Sequence, residues 1–123
     1  MTDYTPDRWM VLRIHAPTEK LYKVFATWSG GYAGSDSWKL NSGIVRATWS
    51  DPYWDFNGSS GSVYRCHADS YGTNGYGGTV LSNLISQAQA QGIQIDVLDQ
   101  DTAWGQLQYE PLAQWIESGV RNA

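Results

Sequence analysis

The chain has 123 residues, of which 41% are hydrophobic and 16% charged, and its net charge is −4. This length suits one domain with its own core, so we expect a single domain over residues 1–123, with 1–7 as a lead-in and 120–123 as a tail. The mild negative charge argues against general binding to nucleic-acid phosphates.

The only cysteine and the polar N-terminus predict where the protein acts. Cys66 has no second cysteine with which to form an internal disulfide, which fits a reducing compartment. The first residues lack the basic and apolar regions of a signal peptide, and no apolar run approaches the length of a membrane span. We therefore expect a cytoplasmic protein that does not bind membranes.

The first half of the chain predicts strands. Side chains alternate over residues 8–15, with Met10, Leu12 and Ile14 forming the better core face. A short connection leads to a second strand and an antiparallel hairpin. Further strands, separated by Asp51-Pro52 and Asn57-Gly58 turns, complete this half. The predicted strands after the first cover residues 21–29, 44–49, 53–56 and 62–67, with a short strand and turn over 39–43.

The second half predicts a helix, a strand and a further helix. Apolar side chains recur at helical spacing from Val80 to Ala88, with Thr79 as the predicted N-cap and Gly92 as the C-terminal cap. This predicts a main helix over about 79–91. A strand over 93–98 and a short C-terminal helix over 110–119 follow.

Together these elements predict an α+β fold. Strands come first and helices later, which favours a mostly antiparallel sheet of about five to six strands with the main helix on one face. Two glycine-rich loops, over 30–37 and 68–78, flank three of the strands. Neither loop contains the phosphate-binding pattern of glycine, four residues and Gly-Lys-Ser/Thr, so no nucleotide cofactor is predicted from them.

The side chains that carry common catalytic chemistry do not form a recognisable set. Cys66 and His67 are adjacent in a predicted strand, so their side chains should point to opposite faces. His15 and His67 are the only histidines, which predicts no metal site. We favour a protein that is not an enzyme and needs no cofactor. A small hydrolase or transferase that uses Cys66 or His67 is the alternative.

The middle of the chain is rich in aromatic residues among serines, glycines and a few cations. Aromatic platforms with hydroxyls, amides and cations suit a planar polar ligand, and equally a protein interface. Their use as core fillers is an equally good explanation. If they bind a ligand, the predicted contact residues are Tyr32, Trp38, Lys39, Asn41, Tyr64, Arg65, His67 and Tyr71.

Three segments carry a resemblance to a known family. They are YTPDRW at 4–9, WSGGYAGSDSWKLNSG at 28–43 and SGSVYRCHADSYG at 60–72. In these the chain resembles a family of small uncharacterised proteins of tailed bacteriophages and prophages, over about residues 3–98. The resemblance implies a viral origin and action in the cytoplasm of a bacterial host, and it implies no activity.

These expectations combine into a hypothesis about function. The chain is predicted to be a non-catalytic phage accessory protein that binds a partner through its aromatic, glycine- and serine-rich surface. The partner is either a small nucleotide-like signal or a host protein, so the role would be to counter host defence. Aromatic contact surfaces also make a homo-oligomer reasonable. The remaining alternative is a structural or assembly component of the virion.

Overall fold

A computed structural model describes residues 3–30, 34–107 and 109, and it contains eight strands and one main helix in this part of the chain. The strands are β1 (Asp3–Tyr4), β2 (Arg8–His15), β3 (Lys20–Trp28), β4 (Ser37–Leu40), β5 (Ile44–Ser50), β6 (Tyr53–Gly58), β7 (Val63–His67) and β8 (Gln94–Val97), and the helix is α1 (Gly75–Ala90). The 3-10 turns are Ala68–Ser70 and Trp104–Gln106.

The strands form two four-stranded sheets. Sheet A has the order β1-β7-β6-β5, and sheet B has the order β4-β3-β2-β8. Every neighbouring pair is antiparallel except β1 and β7, which are parallel. The predicted α+β class with mostly antiparallel pairing and one main helix is confirmed. The strands are divided between two sheets, whereas a single sheet of about five to six was expected.

Sheet B lies between sheet A and helix α1, so both of its faces are covered. On one face Trp9 and Val11 pack in a cluster with Phe56 of sheet A. On the other face Leu12 packs with Phe25 and Leu81 of the helix. The alternation in β2 was therefore predicted correctly, but the choice of the Met-Leu-Ile side as the better core face was wrong, because Trp9 and Val11 are fully buried as well.

Helix α1 begins four residues before the predicted start. Asn74 is its N-cap, and the side-chain oxygen of Asn74 accepts a hydrogen bond of 2.7 Å from the Gly77 amide. Thr79, the expected cap, lies inside the helix. The predicted loop over 68–78 therefore contains the first helical turn. The predicted C-terminal cap is confirmed in that Gly92 follows the helix with a φ of +78°.

Glycine at position 77 lets the helix approach sheet B. A Cβ atom there would collide with the hydroxyl of Thr73 and lie 2.9 Å from Oγ1 of Thr27. These two hydroxyls hydrogen bond to each other at 2.9 Å, so neither is free to move without losing its partner. The glycine is thus explained by close packing, although glycine lowers helix propensity.

Other predicted elements differ in their limits or lie outside the described residues. Asp3–Tyr4, placed in the predicted lead-in, form β1 of sheet A. The short strand expected over 39–43 is β4, which begins at Ser37 and so takes the last residue of the first glycine-rich loop. The predicted C-terminal helix falls outside the described residues. Within the described residues, no helix has the length and apolar character needed to cross a membrane.

Candidate functional site: the outer face of sheet A

One face of sheet A is not covered by any other described element. Alternate residues of its strands point away from the core, because side chains alternate between the two faces of a sheet. The opposite, inward set includes Phe56, Tyr64 and Cys66, all buried. The outer face of sheet A consists of Asp3, Arg46, Thr48, Ser50, Tyr53, Asp55, Asn57, Val63, Arg65 and His67.

Arg65 is held in a fixed orientation on this face. It lies opposite Asp55 in the β6–β7 register, and its Nε and Nη2 donate hydrogen bonds of 2.9 and 3.0 Å to the two carboxylate oxygens. The guanidinium carbon also lies 5.1 Å from the centre of the Tyr53 ring. Both carboxylate hydrogen bonds favour the charged guanidinium, so the pKa of Arg65 is raised.

This geometry leaves part of the guanidinium for a partner. The Arg65 side chain is 48% exposed, whereas that of Asp55 is 18% exposed. Nη1 of Arg65 makes no hydrogen bond to another described side chain or carbonyl. A planar group with fixed orientation and free N–H donors loses little conformational entropy when it binds an acceptor. The pair is therefore suited to recognise a carboxylate or carbonyl oxygen.

His67 lies on the same face, two residues after Arg65 and opposite Tyr53 in the register. Its ring meets the Tyr53 ring edge to face, with centres 5.4 Å apart. Its Nδ1 accepts a hydrogen bond of 3.0 Å from the Asp69 amide, so His67 caps the 3-10 turn Ala68–Ser70. In the neutral ring the proton must then lie on Nε2. His67 thus adds a second oriented donor beside Arg65.

A cavity of about 380 Å³ lies at one end of the outer face. It is lined by Asp3, Thr5, Asp55, Val63 and Arg65. Its volume is within the range of about 300–1,000 Å³ that small-molecule sites occupy. Its charges are two carboxylates and one guanidinium already paired to one of them. This balance disfavours a phosphate and favours a neutral or cationic group, such as a side chain of a partner protein.

Two other predicted contact residues are exposed but lie on sheet B. Trp38 on β4 stacks on Phe25, with ring centres 5.8 Å apart, and is 37% exposed on the helix side of the sheet. Lys39, the next residue, points to the opposite face, and its Nζ lies 5.4 Å from the centre of the Tyr4 ring. The structure therefore separates Trp38 and Lys39 from each other, and neither shares the outer face of sheet A.

Three predicted contact residues are integrated into the protein interior. Tyr64 packs on Tyr4, with ring centres 4.8 Å apart, and burial raises its pKa to about 12. Asn41 is 2% exposed, and its Oδ1 accepts a hydrogen bond of 2.9 Å from the Val24 amide. The Tyr71 ring packs edge to face on Trp9. Tyr32 lies outside the described residues.

The structure thus brings together Arg65 and His67 from the predicted set and adds Tyr53 and Asp55. The sequence held a signal for both added residues. The Asn57-Gly58 turn predicts that the strands on either side pair, and alternation places Tyr53 and Asp55 together on one face of their strand, which the register of the structure shows to be the face of Arg65. The partner residues opposite them follow only from the register, which the sequence does not fix.

The catalytic alternative meets a geometric obstacle. As predicted, Cys66 and His67 point to opposite faces of sheet A. Cys66 is fully buried, its thiol donates a hydrogen bond of 3.7 Å to the Tyr64 carbonyl, and burial raises its pKa well above the ordinary value. Within residues 3–30, 34–107 and 109, no group of three His, Cys, Asp or Glu residues could hold a metal ion.

Comparisons with known proteins add no relative. No protein-family model matches the chain, and neither the curated proteins nor the solved structures contain a significant match.

Proposed function

We propose that this chain is a non-catalytic binding protein that contacts a partner protein through the outer face of sheet A. The observation that carries the proposal is the arrangement of Arg65, which Asp55 and Tyr53 hold in place on a face that no described element covers. Arginine and tyrosine are common among the residues that dominate binding energy at protein interfaces.

A protein partner fits this face better than a nucleotide-like signal. Any nucleotide presents phosphate oxygens, and the cavity beside Arg65 contains the carboxylates of Asp3 and Asp55. Those carboxylates repel an anion, while Arg65 is already neutralised by Asp55. A partner protein can instead place an uncharged or basic side chain in the cavity and a carbonyl oxygen at the guanidinium.

The resemblance to phage proteins suggests where the partner belongs. A phage protein that acts inside a bacterium meets host proteins. A phage benefits when host defence proteins are blocked. We therefore propose a host protein as the partner. Support for a non-catalytic role comes from Cys66, whose buried thiol points away from the exposed face.

The test is affinity capture from bacterial host cells with the native chain and two variants. Arg65→Glu reverses the charge at the proposed contact, and Lys20→Glu makes the same charge change at an exposed position on sheet B. A captured protein that is lost with Arg65→Glu but kept with Lys20→Glu, and that binds the purified native chain directly, supports the proposal.

Other outcomes contradict it. Equal capture by both variants would mean that the contact lies elsewhere on the chain. A thermal shift of the native chain on addition of nucleotides, abolished by Arg65→Glu, would favour the small-molecule alternative. Both variants must keep the circular dichroism spectrum of the native chain, so that a loss of capture reports the contact and not unfolding.

A further inference from the structure

We infer that two copies of this chain pair edge to edge through β5, so that two copies of sheet A form one continuous sheet. Strand β5 is one of the two edge strands of sheet A and pairs only with β6 among the described strands. No backbone hydrogen bond from another described residue reaches Val45–Ser50 on the open side. Alternate residues of this edge therefore present unpaired N–H and C=O groups to a neighbour.

Strand β5 is the longest of the four edge strands, although the 3-10 turn Trp104–Gln106 packs near it. Edge strands are commonly protected by short length, charged side chains or proline. β1 has two residues, while β4 and β8 have four each and carry Lys39 and Asp96. β5 has seven residues and one charged side chain, Arg46. Its register with β6 is irregular at Ile44/Arg46 but regular from Arg46 to Ser50, which leaves a five-residue segment for pairing.

An exposed tryptophan marks this segment. Trp49 is 49% exposed, and one side of its indole packs against Trp54, with ring centres 5.2 Å apart. A second copy gives the other side an apolar surface. In an antiparallel pair centred on Thr48, Trp49 of one copy lies opposite Ala47 of the other. Gly105 of the 3-10 turn lies close to Ala47 and to the Trp54 ring, and as a glycine it adds no side chain there.

The same register is compatible with the charges. With Thr48 opposite Thr48 on the two-fold axis, Arg46 of each copy faces Ser50 of the other. Like charges directly opposite each other would be destabilising, and this register has none. Antiparallel pairing of one strand with itself is isologous, so it closes after two copies and does not propagate into a fibre. A second copy is therefore the occupant that this edge fits.

The dimer would place two outer faces side by side. Thr48 and Ser50 belong to both the edge segment and the outer face of sheet A, so that face would continue across the two-fold axis. The inference does not rest on the proposed function, because edge pairing uses the backbone of β5 and the indole of Trp49.

The test uses a charge pair on the two-fold axis. The native chain is expected to have twice the chain mass in light scattering after size exclusion. Thr48→Lys places two ammonium groups opposite each other, and Thr48→Glu places two carboxylates, so each variant alone is expected to be monomeric. A mixture of the two is expected to recover the dimer mass, because lysine then faces glutamate.

Ser37→Lys, at the exposed edge strand of sheet B, is the matched control and is expected to remain dimeric. Three results would overturn the inference: a monomeric native chain at every concentration tested, a Thr48→Lys variant that stays dimeric, or folded variants whose mixture stays monomeric. Recovery in the mixture also shows that both variants fold. Retention of the dimer by Arg65→Glu separates this test from that of the partner-binding face.

Discussion

Arg65 and Asp55 lie opposite each other on β7 and β6, and two hydrogen bonds of 2.9 and 3.0 Å join the guanidinium to both carboxylate oxygens. The Arg65 side chain is exposed and that of Asp55 is partly buried, and ion pairs at the protein surface contribute little to stability. The main effect of the ion pair is therefore to orient Arg65. A role in recognition and a role in stability make different predictions for the loss of Asp55.

Asp55→Ala is expected to release the Arg65 side chain while leaving the urea midpoint almost unchanged. Nitrogen-15 relaxation of the Arg65 Nε–H group should report increased motion, and binding to a captured partner should weaken. Asp69→Ala is the control, because the Asp69 carboxylate makes no hydrogen bond to another described residue. An ordered Arg65 signal in Asp55→Ala would contradict the orienting role.

Tyr71→Phe is expected to destabilise the fold by about 1–3 kcal/mol, because it leaves buried polar groups without a partner. The Tyr71 hydroxyl donates to the Leu98 carbonyl and accepts a hydrogen bond of 3.3 Å from the Val11 amide. Urea denaturation measures the loss. Tyr76→Phe removes a hydroxyl from a side chain that is 39% exposed and should change little. Equal effects would show that the bridge between Val11 and Leu98 is unimportant.

The cluster around Asp96 should make stability depend on acid pH. Hydrogen bonds from Gln94, His15 and Arg13 stabilise the carboxylate and lower its pKa to about 2. A lowered folded-state pKa means that this stabilisation is complete above the ordinary pKa of roughly 4 and is lost as the pH falls towards 2.

Urea midpoints measured over that pH range test this expectation. The difference between the native chain and Asp96→Asn should shrink as the pH falls from about 4 to about 2, because the Asp96 carboxylate then becomes protonated, first in the unfolded chain and near pH 2 in the folded one. Asp101→Asn, in an exposed turn, should show no such trend. A constant difference between native chain and Asp96→Asn would mean that the carboxylate charge contributes nothing.

Two neighbouring glycines of α1 should respond oppositely to alanine. Gly77→Ala is expected to cost about 1–3 kcal/mol, because its Cβ would displace the hydrogen-bonded hydroxyls of Thr27 and Thr73. Gly78→Ala has open space around its Cβ and should gain about 0.5–1 kcal/mol from higher helix propensity. Thermal denaturation of both variants measures the signs. A stabilising Gly77→Ala would show that helix and sheet do not approach as closely as described.

Local patterns were sufficient to predict the strands and the approximate position of the helix. Alternation located β2 and β3, and helical spacing located the apolar stripe of α1. Alternation cannot say how many faces are covered, so the burial of Trp9 and Val11 together with Leu12 was missed. The glycines at 75, 77 and 78 favoured a loop by propensity, but packing against Thr27 makes one of them necessary in the helix.

The candidate site was predictable to a similar degree. Arg65 and His67 share a face by alternation, and the same alternation places Tyr64 on the buried side. The structural roles of Asn41 and Tyr71 depend on contacts with Val24 and Leu98, which are 17 and 27 residues away in the chain. Such contacts follow from the arrangement of the two sheets, which no local pattern specifies.

The positions of β1 and β8 in the sequence link the two sheets. Sheet A is the consecutive run β5-β6-β7 completed by β1, and sheet B is the run β2-β3-β4 completed by β8. In the sequence, β1 of sheet A precedes the strands of sheet B, and β8 of sheet B follows the strands of sheet A. Separating the two sheets requires β1 or β8 to detach from its sheet, so neither sheet is expected to persist alone as a folded intermediate. A single cooperative transition, with coincident curves from tryptophan fluorescence and circular dichroism, is the expected consequence.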